Sequence, residues 1–207
     1  MAELRKVFYQ TIAELMKKDD RVVYLDADLA GALGTAELFR EFPRQAFDLG
    51  IMEANMIGVG AGMSIKGKIP FVHTFGPFAS RRVADQTFLA GCYNDANLKI
   101  IGSDPGITAE TNGGTHMPFE DMGIYCAYPN ITIMDVAEPY LLREVIRQMA
   151  SSWGVQYIRF QRKEGEAYYG GDEKIQIGRG NIVREGNDIT VIACGIEVAW
   201  ALKAAEK

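Results

Sequence analysis

The sequence predicts an α/β fold: a mostly parallel sheet with helices on both faces, followed by the beginning of a second α/β unit. Three observations predict it. Short apolar runs of strand length alternate with longer segments whose apolar residues recur at helical spacing. The strand-length runs are almost continuously apolar, as in strands covered on both faces. The unusual polar and aromatic residues fall in the loops that follow those runs, which places them at one edge of a parallel sheet.

The elements follow in order. Leu4, Val7, Phe8, Ile12 and Leu15 mark an amphipathic helix over 3–18. Residues 21–25 form an apolar run that ends in Asp26-Ala27-Asp28, a buried strand feeding a polar loop. A helix is expected over 35–42, a short strand over 47–49 and a helix rich in small residues over 54–65. Gly50 and the small residues after Glu53 would let another surface come close. Residues 69–73 read as a strand, 83–93 as a helix and 98–102 as a strand, followed by a long Gly- and Thr-rich loop to Pro118. A helix over 119–127, a strand over 131–135, a helix over 140–151 and a strand over 156–160 complete the unit. The domain is expected to span 1–163, with a polar, glycine-containing linker at 164–178. Residues 179–207 then read as strands at 180–184 and 188–193 with a helix from 197. That piece is too small to form a core of its own, so the chain is expected to be cut short within this unit or to pack it on something else.

Composition excludes several classes. The net charge is −5 and the lysines and arginines are dispersed, which argues against nucleic acid as a partner. No apolar run has membrane-spanning length. Cys92, Cys126 and Cys194 lie far apart, lack zinc spacing and read as reduced core thiols of a cytoplasmic protein. With two histidines, His73 and His116, far apart in sequence, no metal site is expected. The chain has neither a G-x-x-x-x-G-K-[ST] loop nor a convincing G-x-G-x-x-G after a strand, so it carries no phosphate cradle of its own. No Ser/His/Asp set stands out in the sequence.

A few constellations could carry chemistry. Glu53 follows a short strand and a glycine at the start of a helix; read alone it is a first-turn capping carboxylate or a functional acid. Phe75 and Phe78 lie in the loop Thr74-Phe75-Gly76-Pro77-Phe78, where they would stack on a flat heterocycle or fill a core or interface. His116, in Gly113-Gly114-Thr115-His116-Met117-Pro118, is a proton donor and acceptor or a structural residue. Arg159 and Arg162 near a strand end, and Arg5 at the first helix, suit a phosphate or sulfonate, or form surface ion pairs.

In their order and spacing, Gly50-Ile51-Met52-Glu53-Ala54-Asn55-Met56, the Thr74–Phe78 and Gly113–Pro118 loops, Pro129-Asn130-Ile131-Thr132 and Arg159-Phe160-Gln161-Arg162 resemble the pyrimidine-binding domain of transketolase. The whole chain looks like the C-terminal subunit of a split transketolase. The resemblance implies a thiamine diphosphate site shared between chains. In it, Glu53 bonds the aminopyrimidine ring and so promotes removal of the thiazolium C2 proton, with the cofactor as electron sink. Phe75 and Phe78 would hold that ring, and Asp28 would lie near the cofactor. His116 would be a catalytic residue contacting the sugar, and Arg162 and Arg5 would bind its phosphate. Mg²⁺ and the diphosphate would be held by an N-terminal partner subunit through a Gly-Asp-Gly motif absent here. This chain is therefore expected to be inactive alone and to assemble as a homodimer or heterotetramer.

The sugar half departs from the family pattern. Asp104 stands where a histidine is usual, Asn112 where an aspartate is usual, and Ala32 where a serine often lies. Both Asp104 and Asn112 are expected in the sugar site, reading a donor or acceptor other than the usual pentose phosphates. A deoxyxylulose-phosphate synthase-like or 2-oxoacid dehydrogenase β-like subunit, or a non-catalytic partner that keeps the fold, are the alternatives.

Overall fold

The computed structural model describes residues 2–207. Strand β1 (Ala2–Glu3) leads directly into helix α1 (Leu4–Lys18). Then come β2 (Val22–Asp26), α2 (Ala30–Leu33), α3 (Leu38–Glu41), β3 (Ala46–Asp48), α4 (Glu53–Ile65) and β4 (Ile69–Phe75). A 3₁₀ turn (Arg81–Val83) and α5 (Ala84–Gln86) run into a π-helical segment (Thr87–Tyr93), followed by β5 (Lys99–Ser103). After two 3₁₀ segments come α6 (Asp121–Cys126), β6 (Ile131–Asp135), α7 (Pro139–Ser151), β7 (Val155–Phe160), β8 (Glu164–Gly165) and α8 (Glu197–Ala204).

Six strands form one sheet in the order β3-β2-β4-β5-β7-β6, every neighbouring pair parallel. All strand ends therefore point to the same edge, as the sequence pattern requires. On one face α1 and α7 bury Leu4, Phe8, Ile12, Leu142, Ile146 and Met149 against Tyr24, Phe71, Ile158 and Phe160. On the other, Met56 and Ile57 of α4 pack with Val72, Val83, Leu98, Ile100, Tyr125 and Tyr157. Gly60 makes α4 lie tight on the sheet, since a Cβ there would meet Leu98 Cδ1 at 2.7 Å. The exposed positions of α4 include Gly58 and Gly62, with open space around both. Helix α7 begins on a true cap: Pro139 is its first residue and the Glu138 carboxylate accepts from Leu141 N at 2.5 Å.

The elements differ from the sequence expectation in a few places. The helix expected over 35–42 shortens to the single turn α3 (Leu38–Glu41), and a separate turn, α2, precedes it and is closed by Gly34 at a left-handed φ of 79°. The helix expected over 83–93 widens into π-helical turns, whose Gly91 sits 3.3 Å (from its would-be Cβ) from Val155. No strand forms at 180–184 or 188–193. Neither segment has a neighbouring strand to complete its hydrogen bonds, and a lone two-stranded ribbon is marginal in water. Ile182, Ile189, Val191 and Ile192 are accordingly exposed. The linker is partly docked instead: Gln148 of α7 brackets Ile175 O and Ile177 N, each at 3.0 Å. Only Cys92 is a core thiol. Cys126, closing α6, and Cys194, in the strandless stretch, are exposed.

Candidate functional site

The two central strands carry the site. β4 ends at Phe75 and β5 at Ser103, paired in register, so the loops that follow them leave the sheet side by side. Gly76 and Pro118 bring these loops together: a Cβ on Gly76 would fall 2.5 Å from Pro118 Cγ. That close approach seats His116 edge-on to both aromatic rings, 5.3 Å from Phe75 and 5.2 Å from Phe78 between centroids. Phe75 and Phe78 are themselves 6.4 Å apart and nearly perpendicular. The Thr115 hydroxyl bonds His116 Nδ1 at 2.8 Å, leaving Nε2 without a partner among the described residues. Gly76→Ala is expected to push Pro118 away and loosen the histidine. The cost should be about 1–3 kcal/mol of stability by overpacking, read by denaturant unfolding. A variant as stable as the parent would show that the loop yields freely.

Glu53 opens α4 and is only 3% exposed. Its Oε1 accepts from Arg82 Nη1 at 2.6 Å and from Thr74 Oγ1 at 3.4 Å. Its Oε2 has no partner among the described residues. Arg82 in turn lays its guanidinium over Phe78, 3.7 Å from the ring centroid. Thus Glu53, Arg82, Phe78, His116 and Phe75 form one continuous cluster. Arg162 extends it, its guanidinium carbon 4.9 Å from the Phe75 centroid. Asp104, buried and at a φ of 59°, grips Arg162 twice, accepting from its backbone N at 3.1 Å and its Nε at 2.5 Å.

Arg5 meets Arg162 through the backbone. β1 pairs antiparallel with β8, and Arg5 N donates to Arg162 O at 3.3 Å. The Arg5 guanidinium bonds Glu3, and with Lys6, Tyr9, Leu33 and Gly34 it lines a cleft of about 310 Å³. Asn112 and Asp28 stand apart. Asn112 is exposed with no side-chain partner among the described residues, and the exposed Asp28 touches Asp48 only through its backbone N–H, at 3.0 Å. Arg159, weighed with Arg162 as an anion ligand, is already bound to Asp121 and Asp135 at 2.8 and 2.7 Å.

A buried polar chain also underlies the site. His73 bonds Asp26 Oδ2 through Nδ1 at 2.8 Å and Ser103 Oγ through Nε2 at 3.1 Å. The Tyr24 hydroxyl donates to Asp26 Oδ2 at 2.5 Å. No Ser/His/Asp set is visible in the sequence, because these residues lie on three different strands, Asp26 and Ser103 at strand ends and His73 within an apolar run. The paired strand ends, Asp26 opposite His73 and Phe75 opposite Ser103, create it. Full burial makes it a brace beneath the loops rather than a nucleophile. Burial alone would raise the Asp26 carboxyl. The charge and bond of His73, with bonds from Tyr24 and Leu29 N, outweigh it and hold the group below its ordinary 3.8.

The fold and this cluster define a parallel α/β domain with a buried helix-start carboxylate beside edge-to-face aromatic rings. The chain belongs to the transketolase pyrimidine-binding domain family, whose model matches residues 1–166. It is 44% identical over 204 residues to the 6-deoxy-6-sulfo-D-fructose transketolase subunit SqwH of Clostridium sp. (strain MSTE9), covering 99% of this chain and 63% of that protein. It is 39% identical over 205 residues to a putative transketolase C-terminal section of Methanocaldococcus jannaschii, covering 98% of this chain and 65% of that one. A solved split-gene transketolase described as an inactive β4 tetramer superposes with a TM-score of 0.88 at 33% identity, over 99% of this chain and 66% of its own. The chain thus spans just under two thirds of the length of these relatives.

Proposed function

We propose that this chain is the pyrimidine-activating subunit of a thiamine diphosphate-dependent transketolase. It would transfer a two-carbon ketol unit between anionic sugars. The observation that carries the reading is the buried Glu53 carboxylate, with one oxygen held by Arg82 and the other free, beside Phe75, Phe78 and His116. That arrangement fits a flat aminopyrimidine: an unpaired acceptor for a ring N–H, and aromatic walls for the ring. Thiamine diphosphate, when bound, supplies the electron sink for carbon–carbon cleavage. Glu53 holds a proton at the ring nitrogen, Phe75 and Phe78 orient the ring, and Nε2 of His116 exchanges protons with sugar oxygens.

The diphosphate and Mg²⁺ call for a partner subunit. The sequence contains no Gly-Asp-Gly segment, and among the described residues no group of three or more acidic, His or Cys side chains is arranged for a metal. We assign 1–163 to the pyrimidine domain, 164–178 to the linker and 179–207 to the start of the C-terminal domain. We place the assembled enzyme, a homodimer or heterotetramer, in the cytoplasm, in keeping with its free cysteines. Asp28 stays a cofactor-side residue and Asn112 a sugar-side one in this reading.

The test is co-expression with an N-terminal transketolase subunit, followed by a donor screen with thiamine diphosphate and Mg²⁺. The donor in the Clostridium relative's name, 6-deoxy-6-sulfo-D-fructose, heads the panel, with fructose 6-phosphate, xylulose 5-phosphate and pyruvate after it. Ketol transfer from any ketose is the expected result. Turnover of pyruvate alone, or no turnover of any donor by an assembled complex, would overturn the proposal.

A further inference from the structure

The cations on the sugar side of this site are largely neutralised within the chain. Arg162 is clamped by Asp104 through both backbone and Nε, and only its two terminal amino groups lack partners among the described residues. Arg5 and Lys6 share the single carboxylate of Glu3, at 3.3 and 3.1 Å. Lys163, beside Arg162, is paired with Glu110. Among Arg5, Lys6 and Arg162, three cations against two carboxylates leave a single net positive charge.

Asp104 is the decisive member. It is 1% exposed, so water screens it weakly. Its backbone N–H is tied to Phe160 O at 3.0 Å, and its carboxylate to Arg162, so it is fixed across the ends of β5 and β7. Any anion that takes the free amino groups of Arg162 must approach this carboxylate. A phosphate monoester carries about −1.5 to −2 at neutral pH, whereas a sulfonate carries one charge with the same three oxygens. Both offer the acceptor geometry a guanidinium fork prefers. What separates them is repulsion from Asp104 and the balance of charge in the seat.

We infer, resting on the transferase reading above, that Asp104 is a specificity-determining residue that selects ketoses ending in a singly charged anion, a sulfonate above all, over ketose phosphates. The residue types that can replace it are unusually informative. Asn and His, like Asp, tolerate a positive φ, so both can enter this position without new backbone strain. Asp104→Asn removes the charge at constant shape, and Asp104→His inverts the sign available to the seat.

The experiment uses the full chain assembled with its N-terminal partner, thiamine diphosphate and Mg²⁺, with no acceptor sugar. Calorimetric titrations compare 6-deoxy-6-sulfo-D-fructose with D-fructose 6-phosphate for the parent, Asp104→Asn and Asp104→His. The parent is expected to favour the sulfonate by roughly tenfold or more, because like charges across a site cost that much or more. Both variants are expected to gain phosphate affinity and shrink the preference by about tenfold. Equal preference in all three proteins, a parent that favours phosphate, or failure to bind either sugar would overturn the inference. Selective sulfonate binding by a complex that transfers no ketol unit in the donor screen above would instead sink the transferase reading and leave the selectivity of the seat standing.

Discussion

Glu53→Gln is expected to lower ketol transfer by about 10²–10⁴-fold, the usual worth of a positioned acid or base, while the chain stays folded and assembled. Glutamine keeps the shape of the side chain and offers an oxygen to Thr74, but it neither takes up nor releases a proton near neutral pH. The structural loss is small for two reasons. Arg82, the lost ionic partner, is 42% exposed and regains hydration when the carboxylate goes. The helix-start charge itself is worth only about 0.3–1 kcal/mol. Turnover of the reconstituted enzyme, unfolding midpoints and sedimentation of the complex read the two halves of the claim separately. Full activity in a folded Glu53→Gln complex would remove the proton role. A fall in activity matched by loss of assembly would make Glu53 a structural residue.

Much of this site was legible in the sequence. The strand runs, the glycine-marked loops and the order of the motifs point to Glu53, Phe75, Phe78, His116 and Arg162, and the fold joins them into one cluster in which Glu53 is linked to Phe78 through Arg82. The relations among charges were not legible. Arg82 lies 29 residues from Glu53 and 4 from Phe78, and nothing in a turn-forming Ser-Arg-Arg stretch announces that one guanidinium will touch both. Asp104 read as a departure from a motif; that it would clamp Arg162 depends on β5 and β7 being neighbours, which local periodicity does not encode. The tail illustrates the opposite failure. Residues 180–193 have strand-like composition, yet strand formation needs pairing with another strand, and no described strand pairs with them.

The buried brace under the loops carries the other large expected effect. Asp26→Ala should destabilise the chain by about 2–6 kcal/mol, since two donors, the buried His73 Nδ1 and the half-buried Leu29 N, lose their acceptor at about 1–3 kcal/mol each. The carboxylate satisfies His73 Nδ1, the Tyr24 hydroxyl and Leu29 N at once, the last at 2.5 Å, and its loss leaves all three facing a cavity. Asp26→Asn, which keeps the volume but lowers the acceptor strength, should cost less. The same carboxylate gives the fold an acid limit. Because its folded-state value lies below the ordinary 3.8, its ionised form contributes stability at any pH above that value and loses the contribution as pH falls through the folded-state value. Unfolding by urea at pH 7 and again below pH 4 should therefore show the parent approaching Asp26→Asn as the medium becomes acid. A gap between the two that is the same at both pH values would assign the effect of Asp26 to packing alone. A fall in the parent that brings it level with the variant would identify the charge as what holds the ends of β2, β4 and β5, and with them the Phe75 loop, in register.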